Sequence, residues 1–249
     1  MYKLIFLDTE TTGLSKTDRL CQLAYKIEDV IVNELFLPPV PMNIEAESVH
    51  HISQKELNEK PAFIGSHQHE VLKKLLADPN YILVAHNAQF DINMLTKEGL
   101  TVPKYICTKK LAQYLLSDNP AVTKYNLQYL RTFFQVELEN IRAHDAEGDV
   151  LVLEAVFNKL MSIATDAATV KAKEKGKRAP SDKKIIERIL ELSMHPVQPK
   201  QRMAFGKYKG MMLTDAIKAD RGYFTWLISQ KGDDDDELMR TVKHLLNTL

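Results

Sequence analysis

The sequence predicts an α/β fold: a mixed five-stranded sheet flanked by helices, followed by a small, mainly helical C-terminal module. Three features support this prediction. The chain has 249 residues, 45% of them hydrophobic, which is enough for one large domain and one small one. Short apolar-rich stretches are bounded by turn or charged residues, as is typical of strands. Segments with apolar residues at helical spacing follow the later stretches, and this alternation favours a layered sheet with helices on its faces.

The predicted strands fall into two groups. The first three follow one another closely and are expected to pair as an antiparallel meander, covering residues 2–8, 20–28 and 31–37. The other two, at 81–85 and 104–107, are short, and each precedes a helix. Five helices are predicted in this region, and they cover residues 66–77, 88–98, 108–117, 126–134 and 146–161.

Composition divides the chain into three parts. Residues 1–165 contain the predicted sheet. Residues 166–184 are predicted to form a basic linker with partial helical character, because no large apolar residue follows Val170 there. Residues 185–249 are predicted to form the small module. Its helices are expected at 185–192, 214–219, 221–230 and 237–248.

The module contains aromatic residues interleaved with lysines around the glycine-flanked turn FGKYKG. Phe224, Trp226 and Leu227 are expected to pack into a small core. Tyr208 and the two lysines of the turn form a mixture that either contacts nucleic acid or completes that core. The sequence leaves both interpretations open.

Two carboxylates at the end of the first apolar run carry most of the functional information. Asp8 and Glu10 lie two residues apart in FLDTETTGL, and residues i and i+2 of a strand project from the same face. Without a cation, neighbouring carboxylates repel each other and one holds a proton at a raised pKa. A divalent metal ion allows both to stay ionised as oxygen ligands. The pair alone leaves a solvent-exposed turn as an alternative, because threonine and glycine surround it.

Two later segments supply further candidate residues. Asp91 lies in AHNAQFDINML, just past a predicted strand end and in the first turn of the next helix. His144 precedes Asp149 by five residues, and the two would diverge if both were mid-helix, so His144 is expected on a loop or cap. The alternative for the acids is a set of surface residues and helix caps. For His144 the alternative is a loop histidine bonded to backbone.

Three motifs occur in the order DTETTG, HNAQFD and H-x-x-x-x-D, and together they resemble those of the DEDD exonucleases, histidine branch. That superfamily includes RNase T, oligoribonuclease and the proofreading epsilon subunit of bacterial DNA polymerase III. The resemblance covers residues 1–165 and implies a ribonuclease H-like fold. The segments ICTKKLAQYL, FGKYKG and DRGYFTWL resemble, in addition, the exodeoxyribonuclease X group of this superfamily.

This resemblance implies a catalytic role for five residues. Four acids would be metal ligands, and His144 would be the general base that takes a proton from the attacking water. Oxygen ligands without a cysteine or histidine cluster favour Mg²⁺ or Mn²⁺ over zinc, with two ions per site implied by the resemblance. The four implied ligands are Asp8, Glu10, Asp91 and Asp149.

Substrate contacts are predicted around the turn that follows Glu10. By resemblance this turn receives the 3'-terminal nucleotide, with Leu14 against a base. Ordinary turn chemistry, with Leu14 tucked into the core, is the alternative. Phe90 is at helical spacing from Met94, so core packing is an alternative for it as well. The predicted substrate-binding residues are Thr11, Thr12, Gly13, Leu14, Asn87 and Phe90.

Together these features predict a metal-dependent 3'-to-5' exodeoxyribonuclease that releases nucleoside monophosphates from DNA 3' ends, in DNA repair or proofreading. An exoribonuclease of the RNase T or oligoribonuclease type is one alternative, because the catalytic residues do not select the sugar. A non-catalytic DNA-binding or polymerase-associated module is another, although the intact acids and histidine argue against it. The expected partner is DNA, single-stranded or at duplex 3' ends, and the resemblance adds a DNA polymerase or a homodimer.

Charge and cysteine usage are consistent with this prediction. The net charge is zero, but residues 171–210 carry twelve Lys or Arg against four acids and could hold a phosphate backbone. The two cysteines, Cys21 and Cys107, have no metal-ligand spacing and fit a reducing compartment. The apolar opening LIFL is too short for a secretion signal, and no run approaches a membrane span. A cytoplasmic location is therefore expected, with no membrane contact.

Overall fold

The computed structural model describes residues 2–138, 146–198, 200–203, 205–231 and 237–249. These residues form one mixed five-stranded sheet with the order β3-β2-β1-β4-β5, which confirms the predicted fold class. The strands are β1 (Lys3–Thr11), β2 (Leu20–Ile27), β3 (Val30–Leu35), β4 (Tyr81–Ala85) and β5 (Tyr105–Cys107).

The helices of the described residues occupy both faces of the sheet and the C-terminal region. Their bounds are α1 (Ile44–His50), α2 (Gln54–Leu57), α3 (His67–Ala77), α4 (Gln89–Lys97), α5 (Thr108–Leu116), α6 (Leu127–Phe133), α7 (Ala146–Glu174), α8 (Asp182–Met194), α9 (Leu213–Ala219), α10 (Arg221–Lys231) and α11 (Glu237–Thr248).

Strand β1 is the centre of the sheet and pairs differently on its two sides. It is antiparallel to β2, as the predicted meander requires, and parallel to β4. The β1–β4 register joins Lys3 to Tyr81 and Phe6 to Val84, so the carboxyl ends of both strands lie at the same edge of the sheet. Residues that follow β4 are thereby brought next to the end of β1.

Alternation along β1 separates two hydrophobic cores. Phe6 belongs to the core beneath α7, where its ring meets that of Phe157 edge-on at 5.5 Å between centroids. Ile5 and Leu7 point to the opposite core, which α3 and α4 cover. Burial of both faces explains why β1 is an almost continuous apolar run before its first acid.

Helices α1 and α2 are additional to the helices predicted from the sequence. Both are short and begin at side-chain caps: Asn43 accepts a hydrogen bond from the Glu45 amide, and Ser53 accepts one from the Glu56 amide. His50, the last residue of α1, is buried. Its Nδ1 accepts a hydrogen bond from the amide of Ile52, so this histidine packs internally.

The predicted linker is shorter in the structure than in the sequence analysis. Helix α7 has 29 residues and continues to Glu174, and α8 begins at Asp182, so about two thirds of the segment 166–184 is helical. Alanines and lysines are good helix formers and extend the helix beyond its apolar stripe. Although α7 is long, no helix within the described ranges is both long and apolar enough to cross a membrane.

Helix α8 also differs from the predicted division, which placed it in the C-terminal module. Ile185, Ile186 and Ile189 lie in the same core as Phe6 and α7. The Ser193 hydroxyl accepts a hydrogen bond from the amide of Cys107 on β5. Because α8 packs on the sheet domain, the boundary at residue 185 is too early, and the separate C-terminal core begins at Met203.

The C-terminal core is small and joined to the sheet domain by polar contacts. It contains Phe224 and Leu227, as predicted, but Trp226 is 54% exposed and does not pack as expected. Lys110 of α5 is 7% exposed and lies 2.7 Å from the carboxylate of Glu237 in α11. The same ammonium donates to the carbonyl of His195 at 2.7 Å. A buried pair of this kind fixes geometry more than it adds stability.

Candidate active site

The carboxylates of Asp8 and Glu10 project from one face of β1, the face that also carries Phe6. They are paired across the sheet with Ala24 and Gln22 of β2. The register shifts after Glu10, so the strand becomes irregular where the chain turns away. The two-residue period of the strand therefore places both acids together, as predicted.

Helix α7 brings Asp149 to this pair. Ligand oxygens of Asp8, Glu10 and Asp149 all lie within 4.8 Å of one another. Asp149 is buried in the first turn of α7, next to the apolar residues that pack the helix on the sheet. The packing of α7 thus fixes the third carboxylate of this cluster, which is called the acidic cluster below.

Asp91 approaches the acidic cluster from the opposite core. It lies in the first turn of α4 and is only 2% exposed. Thr9 of β1 donates a hydrogen bond to Asp91 Oδ1 at 2.8 Å. Because Thr9 is on the other face of β1 from Asp8, this bond ties α4 to the strand between the two acids.

Electrostatic repulsion is strong at this site. Burial raises the pKa of Asp8 well above its usual value, and the charges of Asp91, Glu10 and Asp149 raise it further. Burial likewise raises the pKa of Asp91 from 3.8 to about 7, against the hydrogen bond from Thr9, which lowers it. Four acids that share a small volume cannot all ionise cheaply without a positive charge.

The residues present fit a divalent metal ion. The acidic cluster offers carboxylate oxygens, the ligands that hard cations prefer, and no cysteine or histidine of the described residues belongs to it. Asp8 faces each of the other three acids, since all three raise its pKa. A bound cation would relieve the repulsion that raises the pKa of Asp8.

Gln128 of α6 was missed by the sequence analysis. Its side-chain amide donates to Asp149 Oδ1 at 2.5 Å and orients that carboxylate. Nothing in the local sequence marks Gln128, because the contact spans 21 residues and depends on how α6 packs on α7.

The turn after Glu10 is held by its own side chains. Thr11 and Thr12 are buried, and Thr12 donates to the carboxylate of Asp18 at 3.0 Å. A Cβ atom on Gly13 would come within 2.6 Å of the same carboxylate, which explains the glycine. Leu14 is 88% exposed, so it is not tucked into the core.

The other predicted residues are placed as follows. Asn87 is exposed, has a positive φ of 64° and accepts a hydrogen bond from Lys109 at 3.3 Å. Phe90 is half-buried in the first turn of α4. His144, the predicted general base, lies outside the described residues. His86 donates a hydrogen bond to the carbonyl of Tyr125, and burial lowers its pKa to about 4, so this histidine has a structural role.

Carboxylates gathered at the edge of a mixed, helix-covered sheet define the class of metal-dependent nucleases with a ribonuclease H-like fold. The family described as "Exonuclease" (RNase T) matches residues 5–157. The chain belongs to this exonuclease family, and the DEDD members of the family depend on divalent metal ions.

Relatives of known name agree with this assignment. The chain is 26% identical to "Exodeoxyribonuclease 10" of Escherichia coli K12 over 249 residues, covering 98% of both proteins. It is 31% identical to "DNA polymerase III subunit epsilon" of Rickettsia conorii, over 63% of this chain and 73% of that protein. The structure "Exonuclease X in complex with 5' overhanging duplex DNA" matches with a TM-score of 0.54 and 23% identity, covering 78% of this chain and 99% of that one.

We expect Asp91→Asn to stabilise the metal-free protein at high pH. An acid with a pKa raised by folding binds more protons in the folded than in the unfolded state between 3.8 and about 7, so its contribution to stability falls as pH rises through that window. An asparagine side chain at position 91 can still accept the hydrogen bond that the Thr9 hydroxyl donates. The free energy of unfolding, measured in urea with EDTA, should rise by roughly 1–3 kcal/mol at pH 8 and little at pH 4.

The matched control is Asp29→Asn, at an exposed position in the turn between β2 and β3. It should leave the stability unchanged at both pH values. An equal effect of Asp91→Asn at pH 4 and pH 8 would contradict the raised pKa of the buried Asp91 carboxyl.

Gln128→Leu should weaken cation binding without unfolding the protein, because Asp149 loses the donor that orients it. Loss of such a supporting hydrogen bond typically costs about 10- to 100-fold in metal affinity or activity. The measurement is the divalent-cation concentration that gives half-maximal nuclease activity. Thr132→Val, one turn along α6 and exposed, serves as the control. Equal cation requirements for Gln128→Leu and wild type would rule out this role.

Proposed function

We propose that the chain is a 3'-to-5' exodeoxyribonuclease that hydrolyses phosphodiester bonds at DNA 3' ends and releases nucleoside monophosphates, in DNA repair or proofreading. The observation that carries the proposal is the convergence of Asp8, Glu10 and Asp149 within 4.8 Å, with Asp91 beside them. Similarity to Exodeoxyribonuclease 10 over nearly the full length of both chains supports DNA as the substrate.

The proposed cofactor is a pair of Mg²⁺ or Mn²⁺ ions. Asp8, Glu10, Asp91 and Asp149 would hold them. Bound there, such ions activate a water molecule and neutralise the charge that develops on the phosphate and the leaving oxygen.

The protein's own groups supply orientation and proton transfer in this proposal. Thr9 and Gln128 each donate a hydrogen bond that holds one carboxylate, Asp91 and Asp149 respectively. His144 precedes α7 by two residues in the sequence and is proposed, by resemblance, to take the proton of the attacking water. An unperturbed histidine pKa of about 6.5 suits that role near neutral pH.

The 3'-terminal nucleotide is proposed to bind at the turn after Glu10. The exposure of Leu14 supports the contact with a base, since a leucine so exposed on a rigid turn is available to a planar ligand. Thr11, Thr12 and Gly13 shape the turn and would contribute backbone groups. Asn87 and Phe90 precede Asp91 in the sequence and are the remaining residues proposed to contact the nucleotide.

Two further parts of the proposal concern partners. The choice of DNA over RNA depends on the full-length similarity to Exodeoxyribonuclease 10, because the acidic cluster does not select the sugar. Similarity to an epsilon subunit, named as part of DNA polymerase III, supports a DNA polymerase as a candidate partner. A homodimer is the other candidate.

Single-stranded DNA and RNA of one sequence, each labelled at the 5' end, test the activity. With Mg²⁺, wild type should produce a ladder on DNA that shortens from the 3' end. EDTA and Asp8→Asn should each abolish it, with a loss of at least about 10³-fold, because the transition-state charge is no longer neutralised. Gel electrophoresis reads the products.

The control is again Asp29→Asn, which should cleave like wild type. A ladder on RNA alone would replace the proposal with an exoribonuclease. Retention of DNA without cleavage by wild type would indicate a non-catalytic DNA-binding module.

A further inference from the structure

Within the described part of the C-terminal core, aromatic rings reach the surface beside a lysine-containing turn. This surface consists of the exposed Trp226 and the half-buried Tyr223 of α10 together with the glycine-flanked turn 205–210, and it is called the aromatic face below. Phe224 and Leu227 on the same helix are buried, so α10 packs through one side and exposes the other. An indole that is 54% exposed on such a small unit is not needed for its core.

Trp226 is surrounded by uncharged neighbours on its own helix. Residues three and four positions away lie on the same helical face, and here they are Gly222, Tyr223, Ser229 and Gln230. The sequence of α10, RGYFTWLISQK, contains no acidic residue. A planar ring of a negatively charged ligand can therefore stack on the indole without charge repulsion from acidic side chains of this helix.

The aromatic face is supported from behind by ring contacts. Tyr223 packs against Trp226 at 5.8 Å between ring centroids, and against Tyr208 of the turn at 5.4 Å. Gly206 has a positive φ of 73°, and a Cβ atom there would come within 2.3 Å of the Tyr223 hydroxyl. Glycine thus lets the turn close onto Tyr223, which fixes the ring beside Trp226.

The turn adds positive charge next to these rings. Lys207 lies 3.0 Å from the carboxylate of Asp220, which also accepts hydrogen bonds from Tyr208 and the Tyr223 amide. The charge of Asp220 is thereby compensated, and Lys209 of the same turn is exposed. The acidic run 233–236 follows the opposite, C-terminal end of α10 in the sequence.

We propose that the aromatic face binds unpaired DNA, with a base stacked on Trp226 and the backbone near the turn 205–210. The proposal rests on the proposed function, because the occupant is the single strand of the same substrate at a distance from its 3' end. Aromatic platforms flanked by lysines bind single strands without sequence preference. The aromatic face is thus a second DNA-binding site, in addition to the site at the acidic cluster.

The basic segment 171–210 favours nucleic acid over a protein partner. In the sequence it ends at the turn of the aromatic face, and it carries twelve Lys or Arg against four acids, a balance that favours a phosphate backbone as its partner. A protein partner would be expected to bury a larger and more continuous apolar patch than one indole with its neighbouring tyrosine.

Intrinsic fluorescence gives a direct test, because Trp226 is the single tryptophan of the sequence. Full-length protein carrying Asp8→Asn, which prevents cleavage, is titrated with oligo(dT). Stacking of a thymine on the indole should quench the emission, and the quenching should saturate with the same midpoint as the anisotropy of a labelled oligonucleotide.

Variants at Trp226 separate stacking from folding. In the same background, Trp226→Ala should bind oligo(dT) about tenfold more weakly, whereas Trp226→Phe should retain most of the affinity because a ring remains. Tyr114→Ala removes another exposed aromatic, on α5 of the sheet domain, and should bind as wild type does. Circular dichroism verifies the fold of each variant.

Parallel cleavage assays with wild type distinguish the two proposals. Unquenched emission, together with equal affinity of Trp226→Ala and its parent, would overturn the inference about the aromatic face even if wild type degrades DNA. Absence of DNA cleavage by wild type would overturn the proposed function, and quenching with weakened Trp226→Ala binding would still support a DNA-binding aromatic face.

Discussion

Repulsion among the carboxylates of β1, α4 and α7 is the constraint on which the rest of the structure depends. Burial opposes the ionisation of both Asp8 and Asp91, and the charges of the other three acids oppose that of Asp8 further, as the raised pKa values of the two groups indicate. The acids stay close together despite this cost, because apolar residues of the same elements pack into the two hydrophobic cores. The fold thus holds the ionised carboxylates in an arrangement that is unfavourable without a cation and becomes favourable when a cation binds.

The elements that carry the acids, two on β1 and one each on α4 and α7, also pack the domain. Strand β1 alternates between Phe6 on one core and Leu7 on the other, and the same period then sets Asp8 and Glu10 on the α7 side. The parallel pairing of β1 with β4 delivers α4 to the same edge. The hydrogen bonds from Thr9 to Asp91 and from Gln128 to Asp149 complete the site. Away from the site, the Lys110–Glu237 ion pair connects this domain to the C-terminal core.

Sequence reasoning succeeded where periodicity or local order carries the information. The strand period predicted Asp8 and Glu10 on one face, where the structure has them, and the ordered motifs named Asp91 and Asp149, which lie beside that pair; the role of the four acids as metal ligands stays a prediction. It failed where information lies in tertiary packing. The contact of Gln128 with Asp149 exists only because α6 packs on α7, and no sequence pattern marks it. The sequence likewise does not distinguish the exposed Trp226 from the buried aromatic residue Phe224 of the same helix. The placement of α8 depended similarly on which core its isoleucines joined.

Binding of Mn²⁺ measured directly, without nucleic acid, tests the central claim that the converging acids form one cation site. Free Mn²⁺ can be followed by electron paramagnetic resonance while wild type or Asp8→Asn is titrated at pH 7.5. The account predicts saturable binding to wild type and its loss in Asp8→Asn with the fold retained. Undiminished Mn²⁺ binding by Asp8→Asn would contradict it.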